Sequence, residues 1–362
     1  MLRRVKHIFS MLGILFVLTG CVKTIHEYPT DPTIRLNLTC EINNSDPDFF
    51  VTVECEGKGT SYIVRTQNEN SSNTRFDEPV MLRYVIDLYR VIASHSEFVE
   101  RKVVYADMSQ PVPEGVQFDL EAAEYKILVW CDYVRESAKE ESWYYNISDL
   151  RNIRYSDIDV KDNNDKDVFT NMLHVNLREY SYSLVDHEVS EHIVLERPKG
   201  RYTCSTIDVK DYISKDNQIK EITTVATYVL YVAAGYNVED QKPNHFEETR
   251  TYLSTVSVDD VKDGKLEMCY DYVFVNGKQS NVKINFEFYK GVVTRGTNGK
   301  LYKSNGALAT EDDRISNWAG IVVPLKRNMQ TEIEGRFLTQ SFGSGGIGIE
   351  PGFEGEIVVP WE

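Results

Sequence analysis

Val282-Lys283-Ile284-Asn285-Phe286-Glu287-Phe288 puts an apolar residue at every second position and a polar one between each pair. Successive side chains of a strand point to opposite faces, so this spacing predicts a strand with one face on a core and the other in water. The pattern recurs along the chain. Ile34, Leu36, Leu38, Cys40 and Ile42 alternate with Arg35, Asn37, Thr39 and Glu41, and Leu82, Tyr84, Ile86 and Leu88 alternate with Arg83, Val85, Asp87 and Tyr89. Tyr125, Ile127, Val129, Cys131 and Tyr133 form another such face. Few stretches keep a 3.6-residue period beyond ten residues, and the strand–helix alternation of a parallel sheet is missing. The expectation is an all-β protein of antiparallel sandwich type. Asp263-Gly264, Asn276-Gly277 and Asn298-Gly299 tolerate positive φ and lie between alternating segments, so each is expected to close a hairpin.

A break stands at Glu196-Arg197-Pro198-Lys199-Gly200, where Pro and Gly separate the run Ile193–Leu195 from the run Tyr202–Ile207. Two domains follow, residues 33–197 and 198–362, in keeping with the length. No repeat of solenoid period is visible.

Residues 1–20 read as a signal peptide: Arg3, Arg4 and Lys6, then an apolar run from Ile8 to Leu18, then Thr19 and Gly20. The apolar run is shorter than the roughly 20 residues that span a bilayer. Leu18-Thr19-Gly20-Cys21 resembles the lipobox of bacterial lipoproteins, in which the cysteine is diacylated with chains such as palmitate and becomes the new N-terminus. Lipidation is therefore expected at Cys21, with residues 21–32 as a lipidated tether. Several chains on one residue make a stable anchor, at about 0.8 kcal/mol per buried CH₂. The plainer reading is a secreted protein in which Cys21 merely lies near the cleavage site.

Removing residues 1–20 takes away Arg3, Arg4 and Lys6 and no acidic residue, so the formal charge goes from −16 to −19. Such a surface repels phosphate backbones, and nucleic acid is excluded as a partner. Apolar residues at 41%, with 11% aromatic, suffice for packed cores. Beside Cys21, the cysteines are Cys40, Cys55, Cys131, Cys204 and Cys269, an odd set with no C-x-x-C spacing, so zinc-ribbon and thioredoxin-like readings lack support. Small apolar side chains buried in strands account for them best. An exported chain can also oxidise one pair, and the sequence does not say which.

No catalytic residues, cofactor or metal are expected. There is no H-E-x-x-H, P-loop or nucleophile elbow. Gly343-Ser344-Gly345-Gly346-Ile347-Gly348 matches G-x-G-x-x-G, yet Ile349-Glu350-Pro351-Gly352 follows where a dinucleotide site needs a helix, so a glycine-rich loop is read there. Asp157, Asp159, Asp162, Asp165 and Asp167 crowd one polar stretch without EF-hand spacing and read as a solvated acidic loop. His187 and His192, five apart, fall on opposite faces of a strand. Glu140 and Glu141 are scattered carboxylates of the kind a hydrolase needs paired across a cleft. Trp143, Tyr144 and Tyr145 serve glycan stacking if exposed and core packing if not.

Four segments together resemble the fimbrillin-like superfamily of Bacteroidales surface lipoproteins, which includes fimbrial anchor and accessory subunits. They are the lipobox ending at Cys21; Glu121 to Val134, similar to a Y-x-V-x-V-W-x-D-Y strand; Asp167-Val168-Phe169 with Leu195-Glu196-Arg197-Pro198; and Val323-Pro324-Leu325-Lys326-Arg327-Asn328 with Thr331, Gly335 and Phe337-Leu338. Cys131 departs from the small residue common at its position. The resemblance implies two tandem transthyretin-like sandwiches held at the outer membrane by lipid. It also implies fimbrial subunits as partners, joined by strand addition. The alternative is a surface glycan-binding lipoprotein.

Overall fold

The computed structural model describes residues 32–43, 45, 47–56, 59–63, 79–108, 115–140, 143–156, 166–214 and 219–341. The signal peptide, Cys21, the glycine-rich segment 343–348, Glu141 and the aspartates 157, 159, 162 and 165 lie outside these residues.

In chain order the strands are β1 (Ile34–Ile42), β2 (Asp48–Glu56), β3 (Gly59–Ile63), β4 (Val80–Ile92), β5 (His95–Ala106), β6 (Val116–Leu120) and β7 (Glu124–Arg135). Next come β8 (Tyr145–Asn146), β9 (Ile153–Tyr155), β10 (Val168–Asn176), β11 (His187–Leu195), β12 (Lys199–Thr206), β13 (Glu221–Asn237) and β14 (Lys242–Ser257). The remainder are β15 (Leu266–Phe274), β16 (Gln279–Lys290), β17 (Val293–Arg295), β18 (Leu301–Lys303), β19 (Arg314–Lys326) and β20 (Met329–Gly335). Every alternating segment read from the sequence is a strand. Among the described residues no helix is long and apolar enough to cross a membrane.

Two sandwiches result. In the first, β11-β1-β6 faces β10-β7-β4-β5 across a core that includes Leu36, Leu38, Tyr84, Ile86, Phe118, Ile127 and Phe169. In the second, β15-β12-β20-β2-β3 faces β19-β16-β13-β9-β8, with β14 paired to β13. Its core includes Tyr202, Ile222, Met268, Phe286, Phe288, Trp318 and Phe337. Pairing is antiparallel except for β1 with β11, β12 with β20 and β2 with β20. Two segments that precede residue 197, β2–β3 and β8–β9, are paired into the sheets of the second sandwich.

The turn dipeptides divide. Asn298-Gly299 closes the β17–β18 hairpin as expected. Asp263-Gly264 and Asn276-Gly277 carry chain from one sheet of the second sandwich to the other, because β15 pairs with β12 whereas β14 and β16 pair with β13. Asp263, Gly264 and Gly277 do adopt positive φ (50°, 83° and 71°). The local conformation was legible, and the destination of the chain was not.

A third apolar cluster joins the halves. Val85, Leu128 and Trp130 on the outer face of the β4–β7 sheet meet Tyr145, Tyr236 and Phe274. The Trp130 and Tyr145 rings lie 5.2 Å apart edge to face, and Tyr236 stacks on Phe274 at 5.3 Å. Close approach shapes this joint at Gly235, which pairs with Arg154 where β9 crosses onto β13. A Cβ there would stand 2.3 Å from the Ile153 carbonyl oxygen and 2.4 Å from Asn244 Oδ1. Gly235→Ala is thus expected to lose about 1–3 kcal/mol through forced backbone movement, read as a lower urea midpoint. An unchanged midpoint would show that β9 can shift freely.

Candidate functional site

Two places concentrate polar chemistry, one sealed and one open. The sealed one lies in the joint. Lys166 Nζ meets Asp271 Oδ1 at 2.8 Å, and the Tyr228 hydroxyl donates to Asp271 Oδ2 at 2.7 Å. Lys199 Nζ lies within hydrogen-bond distance of the hydroxyls of Tyr145 and Tyr155 and of the Lys166 carbonyl, the last at 3.0 Å. Burial lowers the Lys199 amine well below the ordinary lysine range, although Asp271 pulls the other way. Burial likewise holds the Tyr145, Tyr202, Tyr228 and Tyr252 hydroxyls well above theirs. A lowered lysine beside tyrosines suits proton transfer in principle. The cavity lined by Tyr155, Lys166, Tyr228, Arg250 and Asp271 holds only about 10 Å³, space for about one water and no substrate. The network is therefore structural, and Lys166, which leads into β10 of the first sandwich, is the member that ties it to strands of the second.

Next to it, Arg197 donates to both Asp167 oxygens at 2.7 and 2.9 Å, to Asn328 Oδ1, and to the Ser45 carbonyl at 3.0 Å. Its guanidinium lies 4.8 Å from the centre of the Phe169 ring. Asp167 is thus a buried ion-pair partner and not part of a solvated loop, since Arg197 compensates its charge inside the protein. The motif residues Asp167, Phe169, Arg197 and Asn328 meet here, so they act on architecture.

The open place is the outer edge of the first sandwich. β5 ends its sheet and, among the described residues, pairs only with β4. Phe98, Val99 and Val103 are 56%, 46% and 42% exposed. A bulge between Leu88 and Tyr89 leaves Val99 without a partner on β4, and Phe98 leans edge to face on Tyr89 at 5.6 Å. An exposed edge of this length with apolar side chains is a template for another strand.

A groove of about 430 Å³ runs beside this edge, lined by Arg83, Val85, Arg101, Val103, Tyr105, Glu140, Asn146, Ile147 and Ser148. Arg83 forks onto Asp132 at 3.0 and 2.7 Å, and Arg101 onto Asp87 at 2.6 and 2.7 Å. Arg101 also donates to the Ile147 carbonyl at 2.9 Å, which fixes the segment forming the far wall. Burial raises the Asp132 carboxyl above its ordinary range, opposed by Arg83. The paired forks make a rigid, nearly neutral wall that suits a hydroxyl-rich or extended ligand better than a free anion.

The alternation along Leu82–Tyr89 places Arg83 and Asp87 on a solvated face. Both faces of β4 are in fact covered, and the charges are paired across strands. Their positions inside an otherwise apolar strand were the available signal. Trp143, Tyr144 and Tyr145 are buried, which removes them as a stacking platform. His187 meets Ser183 at 2.6 Å, while His192 lies between Thr39 and Glu41, so the two do not converge. Glu140 lines the groove.

A family model described as a family of unknown function, DUF6562, matches residues 43–361. The chain belongs to this family. No curated protein matches it. Among solved structures, this DUF6562 chain is similar to a candidate adhesin from Bacteroides ovatus, at 9% identity and a TM-score of 0.41, over 87% of this chain and 91% of that one. It is also similar to the fimbrial anchor protein Mfa2 from Porphyromonas gingivalis, at 10% identity and a TM-score of 0.39, over 80% and 82%. A third is a candidate polysaccharide binding protein of the DUF1812 group from Bacteroides thetaiotaomicron, at 8% identity and a TM-score of 0.38, over 80% of each chain.

Proposed function

We infer that this DUF6562 protein is a lipid-anchored adhesion protein of the cell surface, fimbrillin-like in build, that joins a fimbrial partner by strand addition at β5. The observation that carries this reading is the open β5 edge with Phe98, Val99 and Val103 exposed. Backbone groups along such an edge supply affinity, and alternate side chains supply selectivity. The lipobox reading of residues 18–21 supplies the tether and the place, the outer membrane.

The test combines gene deletion with Phe98→Lys and Val99→Lys, charges of the kind that natural edges use to refuse partners. Cells carrying the double variant are expected to display the protein normally and to retain about tenfold fewer fimbriae after shear, the equivalent of about 1.4 kcal/mol. Fimbrial retention unchanged in the deletion strain would overturn the reading.

A second reading, glycan binding, is favoured by the groove alone. Tyr105 offers a ring, and Glu140, Asn146 and Ser148 offer hydrogen-bonding groups beside the apolar strip Val85 and Val103. Tyr105→Ala would then abolish binding on a glycan array that the Phe98 and Val99 variants leave intact.

A further inference from the structure

Cys40, Cys55, Cys131, Cys204 and Cys269 are all buried with free thiols. Two of them face each other. Cys204 on β12 stands opposite Cys269 on β15 in an antiparallel pair, at the residue before the register shifts. Directly opposed residues on such strands project to the same face with Cα atoms roughly 4.5–5.5 Å apart. That separation falls within the span of about 4.4–6.8 Å that a disulfide bridges.

Among the described cysteines no other pair is so placed. Cys55 on β2 is opposite Gly335 on β20, and β20 separates β2 from β12. Two strand spacings, roughly 9–10 Å, therefore divide Cys55 from Cys204. Cys40 and Cys131 belong to the two facing sheets of the first sandwich, whose backbones stand roughly 10 Å apart.

We propose that Cys204 and Cys269 form a cross-strand disulfide when the chain folds outside the cytoplasm. The assignment rests on the export reading for its setting, because structural disulfides persist in oxidising compartments. The oxidant is a dithiol carrier in its disulfide form, or glutathione disulfide. One cysteine thiolate attacks a carrier sulfur, forming a mixed disulfide and releasing the carrier's other sulfur as a thiolate. The second cysteine thiolate then attacks the protein sulfur of that mixed disulfide, the new S–S bond forms, and the remaining carrier sulfur leaves. Two protein thiols are oxidised by two electrons, the carrier disulfide is reduced, and the two thiol protons end on the carrier thiols. Burial holds the Cys204 thiol well above its ordinary range, so the exchange belongs to folding, before β15 closes onto β12. Once formed, the bond fastens β15, an outer strand of its sheet, and encloses β13 and β14 in the linked loop.

The full chain is harvested from the cell envelope, and in parallel is denatured, reduced and refolded with glutathione disulfide. Both samples are unfolded, alkylated, digested and mapped by mass. The expected result is a linked Cys204–Cys269 peptide pair, about 2 Da lighter than its two thiol forms, with Cys40, Cys55 and Cys131 alkylated. Cys204→Ser should leave Cys269 alkylated, and the oxidised unsubstituted chain should melt several degrees above its reduced form. The mapping uses the unsubstituted chain and does not depend on the variant folding. Free thiols at both positions in both samples, or a bond joining any other pair, overturns the proposal. A bond in the refolded sample together with cytoplasmic, reduced protein in cells upholds the pairing and defeats export instead.

Discussion

Replacing Arg197 by alanine is expected to cost the fold about 3–5 kcal/mol, because it leaves the Asp167 carboxylate buried without its counter-charge. Arg197 also reaches Asn328 in the β19–β20 turn and the Ser45 carbonyl in the β1–β2 connection. One side chain thus ties three separate parts of the chain. At about 2–4 °C per kcal/mol, the melting temperature should fall by roughly 10 °C. Adding Asp167→Ala to Arg197→Ala should restore part of the loss, because the unpaired charge is then gone and only hydrogen bonds and packing are missing. A single variant as stable as the parent would mean that water reaches Asp167, and the joint would not be the closed contact described above.

The second large effect depends on pH. Burial lowers the Lys199 amine well below its usual value of 10.5, despite Asp271 and the faces of Tyr145, Tyr155 and Phe274 within 5 Å. The native protein then binds fewer protons at this site than the unfolded chain does, so stability rises with pH from the lowered native value up to about 10.5. The slope from this one group is about 1.4 kcal/mol per pH unit. Lys199→Met keeps most of the volume and removes the titration. The stability of the parent minus that of Lys199→Met should therefore climb between pH 7 and pH 9, measured by urea unfolding at each pH. A flat difference would show that Lys199 stays protonated in the native joint. The raised tyrosines act oppositely above pH 10, where the unfolded chain loses phenolic protons that the native protein keeps. Most of that contribution is common to both proteins and drops from the difference.

Strand identity was written locally. The alternation at Ile34–Ile42, at Leu82–Tyr89 and at Val282–Phe288 reports a residue's two faces, and that property needs no partner to be read. Gly264, Gly277 and Gly299 took the positive φ that their dipeptides announced. The burial of the cysteines followed from their places on apolar faces.

Partner choice was not local. Nothing in Asp48–Glu56 says that it runs parallel to β20, nearly three hundred residues later, because a strand's hydrogen-bonding groups are the same whatever it pairs with. Arg83 and Asp87 read as a wet face until the joint covered it, since exposure is decided by what packs on top. The same holds for Trp143, Tyr144 and Tyr145, whose rings suit a surface or a core equally. Which thiol faces which, and which edge stays open at β5, depend on strand order, and strand order is a property of the assembled sheets. The sequence by itself determined the strands and the turn conformations. Only the tertiary structure decided which charges are paired, which rings are hidden and which strand edges stay open, because each of those turns on contacts between residues distant in the chain.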